Sequence, residues 1–257
     1  MAKSLSLRIA SNQNGLVREV NDIHIFVNQS LPLLNEAKEP FEQSKNTKDR
    51  RYYVPSVKRT KFAKRTDHEL RNIYERFTEH GLYETFIVSV VSKFEAFLFE
   101  VMKEILIQYP HQIGTSIPGL RPTKDISTEI LFNASDLSAA INDLIDQHIN
   151  KVFYSSPAVQ FSYLAEIAGI DLNDDAFEKY YELKATRDLL VHNVGVANEQ
   201  YIRKSGSKSR AKSGEPVVID RDYFDNSVAL VKRLSGIIKR DVGNKFPHNK
   251  TKTNKPV

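Results

Sequence analysis

Arg187, His192 and Asn193 fall in one short run, Lys184-Ala185-Thr186-Arg187-Asp188-Leu189-Leu190-Val191-His192-Asn193-Val194-Gly195. These are residue types that suit phosphoryl transfer. RNA scission without metal needs the ribose 2′-hydroxyl to lose a proton, the phosphorane to be stabilised and the departing 5′-oxygen to be protonated. A histidine of near-neutral pKa can accept or supply the protons. A guanidinium offers phosphate oxygens a planar fork of donors, and each such donor is worth on the order of 3 kcal/mol to the transition state.

The run reads as the last turns of an amphipathic helix that stops at Gly195. Asp171 or Asn173 could cap its start, with Asp174 and Asp175 beside the positive end of its dipole. At about 100° per residue, Ala176, Tyr180, Leu183, Leu190 and Val191 share one stripe, and Arg187 falls in its middle. A permanent charge there must find an acceptor inside the protein, at an interface or on a ligand. His192 is turned about 140° from Arg187 in a regular helix. The two share a site only if the helix ends there or a symmetric partner brings a second copy. In the longest and most apolar helix, Leu82 to Gln108, the residues Ser89, Lys93, Glu100, Lys103 and Glu104 mark the exposed face. Glu95 sits on the other side among Val91, Leu98, Met102 and Leu106, where a carboxylate must be paired, hydrogen-bonded or protonated. Two misplaced charges of opposite sign, Glu95 and Arg187, are expected to meet. They do so either as a structural salt bridge or with Glu95 orienting Arg187 at the edge of a phosphate site.

Arg187-x4-His192, with a polar residue after the Arg and Asn193-x-Gly195 after the His, resembles the signature of the HEPN superfamily. It is most similar to the prokaryotic HEPN nucleases that carry Arg-Asn-x-x-x-His-Asn followed by a Tyr, here Tyr201; their Asn after Arg is Asp188 in this chain. Arg18-x5-His24 also fits the bare pattern but has none of this context, and His24, beside Val20 and Ile23, is read as structural. The resemblance covers roughly residues 82 to 245. It implies an all-α, antiparallel helical bundle, usually a homodimer with a composite active site, acting as a metal-independent endoribonuclease in prokaryotic defence or as a toxin. On the resemblance, Arg187 clamps the phosphate, and His192 is the acid/base or positions the 2′-hydroxyl. Asp188 and Asn193 orient them, Glu95 supports them, and no metal or cofactor takes part. Tyr201 stacks a base or packs the turn. RNA, as tRNA or mRNA, is the implied substrate, and an antitoxin or regulatory protein is an implied partner. The other reading is a non-catalytic HEPN module that binds RNA, a nucleotide or a partner protein.

The chain of 257 residues suits one large domain or one with an extension. With no Cys, disulfides, thiol catalysis and Cys-type zinc sites are excluded. No HExxH, phosphate-binding Gly-rich loop or Gly-x-Ser-x-Gly elbow is present, which disfavours metal hydrolysis and NTP hydrolysis. The start of the chain lacks the apolar core of a signal peptide, and no stretch approaches the ~20 apolar residues of a membrane span. A cytoplasmic location with no membrane contact is expected.

Net charge is +5 but unevenly placed: from Tyr201 onward there are 14 Lys/Arg against 5 Asp/Glu. A second cluster, Lys45 to Arg65, holds nine Lys/Arg and one acid, Asp49, interleaved with aromatics. Lys48, Arg50, Arg51, Tyr52, Tyr53, Lys58, Arg59 and Lys61 there suit a phosphate backbone and splayed bases, or a solvated mobile loop.

Spacing predicts a helix from about Gly15 to Leu34, followed by a long basic insertion over about 35–65. Thr66 and Glu69 form a capping box for a short helix that stops near Gly81. A loop over 109–124 leads to a helix from Ser135 or Asp136 to Phe153, then one capped at Ser156-Pro157 and ended by Gly169. Residues 205–214 read as mobile and Pro216–Ile219 as a short extended piece before a helix from Tyr223 to Asp241. Residues 1–81 form an N-terminal helical extension, 82–245 the HEPN-like domain, and 246–257 a basic tail without periodicity, expected to be disordered.

Overall fold

The computed structural model describes residues 4–57, 61–123 and 128–247. The chain runs α1 (Leu5–Glu42), strands β1 (Arg50–Val54) and β2 (Lys61–Arg65), α2 (Asp67–Arg76) and α3 (Leu82–Gln108). It continues with α4 (Thr128–Asn133), α5 (Leu137–Tyr154), α6 (Pro157–Ala168), α7 (Ala176–His192), α8 (Glu199–Ser205) and α9 (Arg221–Lys245). The fold is predominantly helical, and among the described residues no helix is long and apolar enough to cross a membrane.

Because α3 is apolar over most of its circumference, it has to be surrounded. Ile87, Val90, Val91, Phe94, Leu98, Val101, Met102 and Ile105 on it are fully buried, covered by α1, α5, α7 and α9. The face expected to be free is bridged to its neighbours: Lys93 pairs with Glu19 at 2.7 Å, Glu104 with Arg8 at 2.6 Å, and Lys103 with Asp146 at 2.7 Å. Leu5, Ile9, Leu16, Val20 and Val27 of α1 belong to the same core as α3 and α9. The chain does not break at Gly81; α2 passes into α3 through a π-helical turn, Phe77–Gly81. The hydrophobic core therefore crosses the boundary expected at residue 81.

Helix α1 is 38 residues long and runs past Leu34 through Pro32 and Pro40. A proline removes one amide donor and bends a helix, but packing holds the far turns, where Phe41 stacks on Tyr74 at 5.8 Å between ring centres. The remainder of the expected insertion is a β-hairpin with Arg50 opposite Arg65, Tyr52 opposite Ala63 and Val54 opposite Lys61. The Thr66 capping box is present: Glu69 N donates to Thr66 Oγ1 at 3.3 Å and Thr66 N to Glu69 Oε2 at 2.7 Å. Asp136 and Ser156 cap α5 and α6, and Gly169 ends α6 in the left-handed region at φ 70°. His24 lies 3.0 Å from Asp225 and stacks on Phe224. Phe246 stacks on Tyr109 at 4.9 Å, so the first residue of the expected tail is anchored; residues 248–257 lie outside the described residues.

His148 of α5 is completely buried, with Nδ1 3.0 Å from Thr123 Oγ1 and no partner at Nε2 among the described residues. Burial, then Lys151, lowers its pKa from 6.5 to about 4. On acidification the unfolded chain takes up this proton before the native one does. The stabilisation is therefore complete above pH 6.5 and is lost as pH falls from there to about 4, by about 2–3 kcal/mol. Urea midpoints for wild type should fall through this window, and those of His148→Gln should fall less steeply. Parallel pH profiles would remove His148 from the account of acid lability.

Candidate functional site

Helix α7 begins at Ala176, after Asp171 and Asn173; Asp174 Oδ1 accepts the Ala176 amide at 2.9 Å. The helix is buried on most sides, by Phe177, Tyr180, Leu183, Ala185 and Leu189, because α3, α6, α8 and α9 all pack on it. Val191, expected on the buried stripe, is 49% exposed.

At the end of α7 the Asn193 and Gly195 amides both donate to the Leu189 carbonyl, at 2.8 and 3.1 Å, so the chain folds back over the last turn of the helix. Asn193 Nδ2 donates to the Val196 carbonyl at 2.5 Å, which tightens the turn. Val194 occupies the left-handed position at φ 51° and is 94% exposed. A β-branched residue there is strained by roughly 1–2 kcal/mol. Glycine would relieve that strain but adds freedom to the unfolded chain, so Val194→Gly should stabilise by about 0.5–1 kcal/mol. A lower denaturant midpoint for the variant would contradict this account of the turn.

His192 is exposed and has no polar partner among the described residues. It opens onto a groove of about 360 Å³ lined also by Asp188, Asn193, Asn198, Gln200, Tyr201 and Lys204. Asp188 precedes His192 by one turn and so faces the same way; its Oδ2 accepts Lys204 Nζ at 3.0 Å. Arg187 points the other way, toward α3. There its Nη2 donates to Glu95 Oε2, while Lys184 Nζ donates to Glu95 Oε1. The two charges expected to meet do so, with Lys184 as a third member. Arg187 also reaches Asp188, Nη1 to Oδ1 at 3.3 Å, so Asp188 connects the Arg187 cluster to the groove.

Lys184, Arg187 and Lys204 face two carboxylates, Glu95 and Asp188. One positive charge is in excess, in a setting where Glu95, Lys184 and Arg187 are only 13–19% exposed. Burial, then Arg187, pushes the Lys184 ammonium down to about 8, against the Asp188 carboxylate, which works to keep its proton. The Arg187 Nε–H and the Tyr180 hydroxyl on the same helix are buried without a partner among the described residues. The arrangement has spare donors and spare positive charge, both suited to an anion.

Tyr201 is 1% exposed, which corrects its expected availability to stack a base and leaves the turn-packing role. Its hydroxyl donates to Glu182 Oε1 at 2.9 Å and accepts the Arg210 amide at 3.1 Å. Thr186 donates to the same Oε1 at 2.6 Å and Tyr223 to Oε2 at 2.9 Å. Burial, then the Glu182 carboxylate, raises the pKa of both tyrosines, so both remain donors. This carboxylate, held by three hydroxyls, ties α7 to α8 and α9 directly behind the groove. Asn198 caps α8, accepting the Tyr201 amide at 2.9 Å, and that helix carries Lys204 to the groove. Sequence reasoning missed Lys184, Lys204 and Glu182. The available signals were a lysine one turn before Arg187 and a carboxylate four residues before Thr186.

The residues of the basic cluster do not line this groove. Arg50 is bound to the buried Asp67 through two hydrogen bonds of 2.6 and 3.1 Å, with Phe41 beneath its guanidinium. Arg51, Tyr52, Tyr53 and Lys61 are exposed on the hairpin, and Lys48 lies in the loop before it; Lys58 and Arg59 lie outside the described residues. No family model, curated protein or solved structure matches the chain.

Proposed function

We propose that this chain is a metal-independent endoribonuclease of the HEPN kind, working as a homodimer with a composite site. The observation that carries the reading is the exposed His192, without a polar partner among the described residues, at the mouth of a groove that also holds Lys204 and Asp188. Arg187 sits directly behind it through Asp188. In the proposed reaction His192 takes the proton of the 2′-hydroxyl, whose oxygen attacks the adjacent phosphorus. The bond to the 5′-oxygen breaks as that oxygen takes up a proton from water, and a 2′,3′-cyclic phosphate and a 5′-hydroxyl form. Lys204 stabilises the charge on the phosphorane, and Arg187 adds its charge from behind, through Asp188. Within one chain Arg187 and His192 diverge, and a second copy placed across the groove supplies the complementary pair. Asp188 holds Lys204 in position and connects it to Arg187.

Purified wild-type protein should cut total cellular RNA and tRNA in EDTA, and His192→Ala should not. Undiminished cutting by both His192→Ala and Arg187→Ala would remove the site. The hold of Glu95 on Arg187 supports one second reading, a HEPN module that binds RNA in this groove without cutting it. Binding by wild type with no cleavage in any fraction would select it.

A further inference from the structure

The register of the hairpin sorts its residues onto two faces. Arg50, Tyr52, Val54, Lys61, Ala63 and Arg65 share one. That face carries the ties to the fold, since Arg50 is fixed to Asp67 over Phe41 and Val54 and Ala63 are partly covered, while Tyr52, Lys61 and Arg65 stay exposed. The other face carries Arg51 opposite Lys64 and Tyr53 opposite Phe62. All four are exposed, Tyr53 by 74% and Phe62 by 49%, with their rings 4.5 Å apart. Like charges directly across a ladder destabilise it. Arg51 has no partner among the described residues, and Lys64 has only Asp49 at 3.8 Å, itself half exposed. One cation without a partner and one held only by Asp49 lie beside two exposed π-faces, on a hairpin tied to the fold through Arg50. They match the backbone charge and the bases of an unpaired strand.

We propose that this outer face, Arg51, Tyr53, Phe62 and Lys64, is a docking surface for single-stranded RNA. The inference rests on reading RNA as the substrate and adds where that substrate is first held. The hairpin leads directly into α2, and α2 with its π-turn spans roughly 20 Å. At the far end His80 Nδ1 lies 3.2 Å from the Ile219 carbonyl, and two residues earlier the Val217 amide bonds Gly195 at 2.9 Å. One helix therefore separates the hairpin from the segment that closes the His192 turn.

The test uses the full-length His192→Ala protein, which keeps the RNA intact, and a labelled single-stranded RNA of mixed sequence with its duplex for comparison. Arg51→Gln/Lys64→Gln should weaken single-strand binding about tenfold at low salt and reduce the salt slope by about 1.4, for two phosphate contacts. Tyr53→Ile/Phe62→Ile keeps β-propensity and should weaken it about tenfold with the slope unchanged. Unfolding midpoints equal to the parent's show that the hairpin's support is intact. Affinity unchanged in either pair overturns the inference, as does no binding by the parent. A change only in molecular mass, measured by light scattering, also overturns it and assigns the face to a second copy. Cleavage by wild type is scored separately. Cleavage with hairpin-independent binding sinks only the docking surface, whereas hairpin-dependent binding without cleavage sinks only the nuclease reading.

Discussion

Replacing His192 with alanine is expected to lower the rate of RNA cleavage by roughly two to four orders of magnitude and to leave stability within about 0.5 kcal/mol of wild type. The two halves of this expectation have one cause. His192 is exposed on the last turn of α7 and has no polar partner among the described residues, so the fold gains nothing from it. Whatever the variant loses is therefore chemistry. The loss should fall on kcat, with KM close to wild type, because the groove's other polar residues still hold the strand. A lowered unfolding midpoint with full activity would reverse the assignment and make His192 structural.

Glu95→Ala has the largest expected effect on stability. Breaking a buried ion pair from one side costs about 3–5 kcal/mol; with 17% of the Glu95 side chain exposed, about 2–4 kcal/mol is expected. The substitution leaves Lys184 and Arg187 side by side without the acceptor they share. Adding Lys184→Met and Arg187→Met should restore most of the loss, since apolar replacement of a whole buried cluster is often neutral. The triple variant should be stable and inactive. Urea unfolding reads the first effect and RNA cleavage the second. An unchanged midpoint for Glu95→Ala would mean that the carboxylate does not clamp α3 to α7.

The contact between Glu95 and Arg187 was legible in the sequence because desolvation leaves a charge on an apolar stripe few choices. The same logic could not find Lys184, whose long side chain can carry its charge from almost any face. Nor could it find the Glu182 centre: Thr186 is local, but Tyr201 and Tyr223 arrive from α8 and the start of α9. Caps were readable wherever a side chain bonds its own helix, as at Thr66, Asp136 and Ser156. The hairpin was not. Its alternation is between an inner face tied by Arg50 to Asp67 and an outer face of cations and aromatics, so no polar–apolar period marks it. The far turns of α1 were hidden by Pro32 and Pro40, because the packing that keeps them helical lies on α2. The divergence of Arg187 and His192 followed from helical spacing alone, and the structure shows it with Arg187 turned to α3 and His192 to the groove.

The chemistry of the fragment ends made from purified RNA in EDTA tests the central claim most directly. Attack by the 2′-hydroxyl predicts 2′,3′-cyclic phosphate and 5′-hydroxyl ends from wild type and no fragments from His192→Ala. Fragments with 3′-hydroxyl and 5′-phosphate ends, or the same fragments from both proteins, would contradict it.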